Sequence, residues 1–333
     1  MEDAIVCGGG PAGLAAALWL GRYRRKTVVL DDGRQRNLAA HSSHGYLTRD
    51  GVHPDELLEL ARRELETYDT VRIVPARAEV AARRAEDFVV TAAGVDHVGH
   101  RVLLATGVKD ALPDIPGFGD LYGRSIFHCS CCDGFEARGR NVIAIGWGEH
   151  AAGFAIDLLE WGASVTLVTH GRSFEGDGAC STALHRTGIE LLEEEVHELQ
   201  SRRGAMTGAR LGSGRILPAT MAFFSIAHEP RSGLGQMLGC ALDDGGYVVV
   251  GPHGDTSVQG VYAAGDVTPG EQLIQTAAAE GAIAGIACAM SLRATGSRSE
   301  APEPGPDPRK ELDAAEHRTP IGSATSAARR PAP

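Results

Sequence analysis

The sequence has no surplus of positive charge: 43 Asp and Glu stand against 32 Lys and Arg, a formal net charge of −11 over 333 residues. That deficit speaks against a basic face able to neutralise a run of phosphates, so nucleic acid is not an expected partner. An uninterrupted apolar run is also lacking. The nearest one, Ile5 to Leu20, is broken by Gly8, Gly9, Gly10 and Pro11, and Glu2 and Asp3 precede it where a signal segment carries positive charge. The expectation is a cytoplasmic protein with no membrane span. The seven cysteines lack the spacing of a secreted disulfide framework, because three of them crowd into Cys129, Cys131 and Cys132. Such clustering points to redox or metal chemistry. There is no second Cys-x-x-Cys and no His-x-x-x-His to complete a structural zinc site around His128, Cys129, Cys131 and Cys132, so no metal is expected.

What the chain does have is glycine, 43 residues of it, with a hydrophobic share of 43% and a charged share of 23%. The balance is globular, and the length suits about two domains of roughly 150 residues each. So much glycine implies tight turns against a ligand.

Hydrophobic patterning divides the chain twice. A strand at Ala4 to Cys7, a glycine turn, a helix from Pro11 to Arg22 and a strand at Thr27 to Leu30 make a βαβ start. A helix over residues 54 to 68 follows, then strands at Val71 to Val74, Phe88 to Thr91 and Val102 to Ala105. After the proline-stiffened hinge Pro113 to Gly117 the pattern restarts: strand Asn141 to Ile145, turn Gly146 to Gly148, helix Glu149 to Trp161, strand Ser164 to Val168. The chain thus repeats a nucleotide-binding start once, with no short-period solenoid. Strands at Gly246 to Val250 and Gly260 to Ala264, with an Ala-rich helix from Leu273 to Leu292, read as a return to the first unit. The expected fold is α/β with two Rossmann-like domains. Residues 1–114 and 246–295 form a discontinuous first domain, into which the second, 117–245, is inserted. Residues 296–333, rich in Pro, Ser, Glu, Ala and Arg without periodicity, read as a disordered tail.

Gly8-Gly9-Gly10-Pro11-Ala12-Gly13 has the G-x-G-x-x-G form between a strand and a helix. Gly8 permits the turn, Gly10 lets a pyrophosphate approach the backbone, and Gly13 allows close helix packing. The phosphates would sit on the helix N-terminus. Asp31, at the end of the next strand, is the expected ribose ligand, with Asp32 as the fallback. Gly146-Trp147-Gly148-Glu149-His150-Ala151 is a weaker G-x-G-x-x-A form, with Trp147 beside the pyrophosphate position. The following strand ends in Thr169-His170-Gly171-Arg172 instead of a carboxylate or an arginine pair, which leaves nicotinamide binding and an empty retained fold both open. Cys129 and Cys132 have the spacing of a reversible disulfide, with Asp133 beside them to relay protons.

In this order the motifs resemble the low-molecular-weight thioredoxin reductases, two-domain FAD-dependent pyridine nucleotide-disulfide oxidoreductases. The resemblance spans residues 4 to 293. It includes Ala105-Thr106-Gly107, Ala227-His228-Glu229-Pro230, and the stretch Gly260 to Val267, which looks like the family's second FAD motif. It implies that Gly265, Asp266, Gln272 and Leu273 lie against FAD, with Asp266 on the ribityl chain and Gln272 at the pyrimidine edge. It also implies that Cys132 faces the flavin, that Cys129 is its disulfide partner, and that Asp133 is the acid/base. The departures are Thr169-His170-Gly171 in place of His-Arg-Arg, with only Arg172 to substitute, and Glu271 where an arginine usually precedes Gln272. Arg36-Asn37, His41, His44 and Asp50-Gly51 are similar to a sister group, the dioxygen-using dithiol oxidases of gliotoxin- and holomycin-type products. Those enzymes carry His at the position of Asp133.

Three functions follow as expectations. The first is electron flow from NADPH or NADH through FAD and Cys129/Cys132 to a thioredoxin-like protein or a small disulfide. The second is the reverse, from a dithiol to dioxygen. The third is a non-enzymatic flavoprotein redox sensor. Family resemblance further implies a homodimer. His41 and His44 read as solvated loop histidines, Cys131 as non-catalytic, and Cys7, Cys180, Cys240 and Cys288 as small packed hydrophobes.

Overall fold

Ala4-Ile5-Val6-Cys7 and Thr27-Val28-Val29-Leu30 are apolar runs without alternation, the pattern of strands covered on both faces. In the computed structural model, which describes residues 1–295, both are fully buried and pair in parallel from Ala4–Thr27 to Cys7–Leu30. The tail expected over 296–333 lies outside the described residues. Val71–Val74 extends the sheet beyond Thr27–Leu30. On the other side Val95–Leu104 pairs in parallel with Glu2–Cys7, then passes antiparallel to Asp87–Ala92 and so to Ala78–Arg84. The seventh strand, Val261–Ala263, comes from far along the chain and docks in parallel on Val102 to Leu104.

The second sheet is five-stranded and wholly parallel. Asn141–Ile145 lies between Ser164–Val168 and Met221–Phe224, with Glu190–Leu192 and Ile126–Phe127 at the edges. An antiparallel ribbon of Val196–Arg202, Ala205–Leu211 and Ile216–Pro218 packs nearby. Val108–Asp110 and His228–Pro230, on the two stretches joining the sheets, pair with each other.

The first helix, Pro11–Arg22, begins with proline at its first turn, where the missing N–H costs nothing. It lies against Ile274–Ser291. Cβ atoms added at Gly281 and Gly285 would fall 2.0 and 2.7 Å from the carbonyl oxygens of Ala12 and Ala16, so only glycine permits this approach. The crossing brings the N-termini of both helices to one place, at the carboxyl ends of the first sheet's parallel strands. Among the described residues no helix is long and apolar enough to cross a membrane.

The strand expected over Val102 to Ala105 starts earlier, at Val95, and three further elements differ from expectation. Gly246 to Val250 is not a strand: Gly246 turns at φ 81°, and Val248 and Val250 make only single bridges, to Leu242 and Thr256. The helix expected from Glu149 to Trp161 is α-helical only over His150–Asp157 and tightens to a 3-10 turn at Leu158–Glu160. The helix expected over 54 to 68 ends at Leu65.

Candidate active site

The turn after Glu2–Cys7 needs a left-handed start. Gly8 supplies it at φ 118°, and its chain passes so close to the end of Val95–Leu104 that an added Cβ would sit 2.1 Å from Ala105 O. Gly13 closes the turn from the other side, 1.9 Å from Gly8 O by the same construction. Gly10 differs: an added Cβ there meets nothing nearer than Gln35 Cγ at 3.9 Å, because Gly10 faces open space. That space is a cleft lined by Gly8, Gly10, Pro11 and Ala12 on one wall and by Ala105, Thr106 and Gly107 behind. Asn37, Asp266, Gln272 and Leu273 line it too, as do Cys129, Cys132 and Asp133.

The cysteine turn is short. Cys129 is extended, and Ser130–Asp133 makes one helical turn in which Cys132 N–H donates to Cys129 Sγ at 3.1 Å. The two cysteines are joined as a disulfide, with Cα atoms 5.3 Å apart. The next residue after Asp133, Gly134, lies against the Trp161 indole, with 2.6 Å from a virtual Cβ to the ring. Burial pushes the Asp133 carboxyl up to about 7, against the charge of His44 and with that of Glu136. Such a carboxyl can take or give a proton near neutrality. Ahead of the turn, burial and the Arg36 charge bring His128 down to about 4, so its neutral ring contacts Tyr122 Oη at 3.2 Å.

Arg36 is the main cation of the cleft. Its Nη1 donates to Gln272 Oε1 at 2.6 Å and meets Asp266 Oδ2 at 3.3 Å, while Nε holds Asp110. Burial raises the Asp266 carboxyl although Arg36 opposes it. Gln272 Nε2 also reaches Tyr247 Oη at 3.2 Å and His228 Nε2 at 3.0 Å, and His228 and Tyr247 contact each other. Asp110, Tyr122 and Tyr247 carried no spacing signal, since each reaches the site from a separate stretch of chain.

Several expected residues stand elsewhere than on the cleft wall. Asp31 is buried beneath Gly9, where it accepts from Gly33 N–H at 2.9 Å, Gln35 Nε2 at 2.8 Å and Arg62 Nη2 at 3.0 Å. Asp32 is the acid on the lining. Gly265, at φ 75°, packs on Ala12 and donates its N–H to Glu280 Oε2 at 2.8 Å. His44, read as solvated, lines the cleft as well.

The second glycine loop is not part of this cleft lining. Gly146 packs on Ser225 O and Ala151 in the manner of the motif, 2.7 and 3.1 Å from a virtual Cβ. Arg172, however, lays its guanidinium over the Trp147 ring at 4.2 Å, and Glu175 Oε2 lies 3.8 Å from a virtual Cβ on Gly148. His170 Nδ1 accepts from Val196 N–H at 3.1 Å, which engages that ring in the fold. Cys7 and Cys288 are fully buried and pushed up to about 12, the state of unreactive thiols.

Comparison with known proteins agrees with this geometry. The profile of the pyridine nucleotide-disulphide oxidoreductases matches residues 2–281. Thioredoxin reductase tcpT of Claviceps purpurea is 34% identical over 79% of this chain and 86% of its own. Thioredoxin reductase sirT of Leptosphaeria maculans is 33% identical over 79% and 86%. Among solved structures, HlmI superposes with a TM-score of 0.84 at 30% identity, covering 95% of this chain and 96% of its own. TrxB from Bacillus anthracis gives 0.83 at 29%, covering 89% and 99%.

Proposed function

This chain belongs to the pyridine nucleotide-disulphide oxidoreductase family, and from that premise we propose a thioredoxin reductase-like, FAD-dependent enzyme whose electrons cross between flavin and Cys129–Cys132. The observation that carries the reading is the single cleft whose walls hold both the first glycine fingerprint and the disulfide.

The cleft fits FAD. Two helices, of 12 and 18 residues, start on it without a side-chain cap, which leaves first-turn N–H groups for phosphate oxygens. We assign Gly8, Gly10, Pro11, Ala12 and Gly13 to the pyrophosphate and Asp31 or Asp32 to the ribose. Asn37, Ala105, Thr106, Gly107, Asp266, Gln272 and Leu273 take the remainder, and Gly265 supports that wall by packing on Ala12. When bound, FAD supplies a two-electron carrier. We assign Cys132 to the flavin side, Cys129 as its partner, and Asp133 as the group that holds the proton when an external thiol opens the disulfide. The domains we propose are 1–114 with 246–295 for FAD, and 117–245 for the cysteine turn and the second loop. A cytoplasmic homodimer is the setting we assign, and light scattering on the purified protein measures the dimer.

In the reductase direction NADPH or NADH would feed the flavin, bound at Gly146, Gly148, Ala151 and Arg172, and a thioredoxin-like protein or small disulfide would leave reduced. The names of the relatives support that direction. The second loop favours the opposite one. Arg172 is stacked on Trp147, Glu175 faces Gly148, and Thr169-His170-Gly171 offers no guanidinium to a 2′-phosphate. These residues do not fit NADPH, so the second reading is a dithiol oxidase that passes electrons to dioxygen. Anaerobic stopped-flow separates the two. Prompt flavin bleaching by NADPH or NADH supports the reductase, and bleaching by dithiols alone supports the oxidase. Bleaching by neither overturns both in favour of a redox sensor.

A further inference from the structure

His44 sits in a loop folded back on itself. Gly51 N–H donates to Ser43 O at 2.9 Å, Ser43 pairs with Val52, and Gly45 N–H donates to Asp50 Oδ1 at 2.8 Å. The same Asp50 oxygen stands 3.6 Å from His44 Nδ1, so one carboxylate closes the loop and faces the ring. The other ring nitrogen, Nε2, lies 3.7 Å from Glu136 Oε1. Glu136 belongs to the turn Gly134–Ala137, which directly follows the cysteine turn, and its Oε2 is buried with no hydrogen-bond partner. His44 therefore bridges from the loop to the end of the redox turn, and it lines the same cleft as Cys129, Cys132 and Asp133.

The chemistry needs a second proton station. A dithiol that reduces Cys129–Cys132 forms its own S–S bond while the Cys129–Cys132 bond breaks. Two electrons pass to the cysteine sulfurs, which leave as thiolates, and two protons are released from the dithiol. Asp133 can hold one of them. Resting on the function proposed above, we infer that His44 is the second station, taking a proton from the cleft it lines together with Asp133 and passing it to solvent beside the exposed Asp50. The groups whose charges act on Asp133 are His44 from the loop and Glu136 from the next turn, and Asp133 in turn acts on Tyr122. Asp50 and Glu136 are the acids on the His44 ring.

The charges acting on Asp133 make the test two-sided. His44 favours its ionised form and Glu136 disfavours it, with the carboxyl at about 7. The measurement is anaerobic flavin reduction of the FAD-loaded protein by dithiothreitol as a function of pH, in wild type, His44→Gln and Glu136→Gln. The wild-type rate rises with pH through that midpoint as Asp133 becomes a base. In His44→Gln the midpoint moves up by about one pH unit and the limiting rate above it falls roughly tenfold, a fall that loss of a charge alone does not give; an unchanged limiting rate overturns the relay. In Glu136→Gln the midpoint moves down. Loss of packing alone gives no such opposed shifts. Midpoints that stay put, or that move the same way in both variants, overturn the role of His44. A Cys129→Ser protein bleached by dithiothreitol at the wild-type rate overturns instead the function on which the inference rests.

Discussion

Arg36 grips Asp110 from 74 residues away, with Nε at 2.9 and 3.1 Å from its two carboxylate oxygens and both side chains largely out of water. The same guanidinium reaches on to Gln272 and Asp266, so one largely buried cation ties Asp110 to these two cleft residues. Glu271 stands beside Gln272, where the resemblance to the thioredoxin reductases leads one to expect an arginine. In this chain the positive charge next to Gln272 comes instead from Arg36, on a distant segment.

Replacing that cation leaves the buried Asp110 carboxylate without its ion-pair partner. Arg36→Met is expected to lower stability by about 3 kcal/mol at neutral pH, measured by urea unfolding of the apoprotein. Burial alone would raise the Asp110 carboxyl, but the hydrogen bond from Arg36 and the charges of His128, Arg36 and His228 outweigh it and hold the group below its ordinary value. The stabilisation is therefore full above the usual carboxylate pKa and fades as pH falls through the lowered one. The gap between wild type and variant should close in acid. Equal stability at neutral pH contradicts this account of the pair.

Gly10 and Gly13 make a matched contrast. Gly13→Ala pushes a methyl group against Gly8 O, 1.9 Å away, and should destabilise the apoprotein and empty it of FAD together. Gly10→Ala has open space before it, so apoprotein melting should stay near wild type while FAD affinity falls. Flavin titration of refolded apoprotein, alongside thermal melts, measures both. A Gly10→Ala protein that binds FAD as tightly as wild type removes Gly10 from the cofactor site.

Asp133→Asn keeps the shape of the carboxyl and removes its titration. With the wild-type group at about 7, thiol–disulfide exchange should accelerate as pH rises through neutrality. In the variant that limb should flatten, with a loss of roughly 10²-fold above it. Flavin content should not change. A variant that keeps the neutral limb assigns the titration to another group.

The parts of the site that sequence made legible are those where backbone geometry or covalent chemistry demands a residue type. Gly8 must turn with positive φ, Gly13 must let the helix touch the strand, and Cys129 and Cys132 must stand three apart to close a disulfide. The return of Val261–Ala263 to the first sheet was likewise visible as an apolar run after a glycine. Polar pairs across long separations were not visible. Nothing in the spacing joins Arg36 to Asp110, or His44 to Glu136, because such contacts depend on how two loops settle against the sheets. His44 looked solvated since a polar loop carries no periodicity to reveal which side faces a cleft. Asp31 and Asp32 are adjacent, and their strand alone does not decide which one turns under Gly9 and which meets the cleft. Gly246 to Val250 had strand-forming residues, but its turn at Gly246 overrides them.

The central claim is that Cys129–Cys132 exchanges electrons with the flavin, and anaerobic reductive titration of the FAD-loaded protein with dithionite tests it most directly. The wild type is expected to take up about two two-electron equivalents per chain, one for the flavin and one for the disulfide, and Cys129→Ser about one. A wild-type protein that takes up only one equivalent, with all its flavin reduced and its disulfide intact, contradicts it.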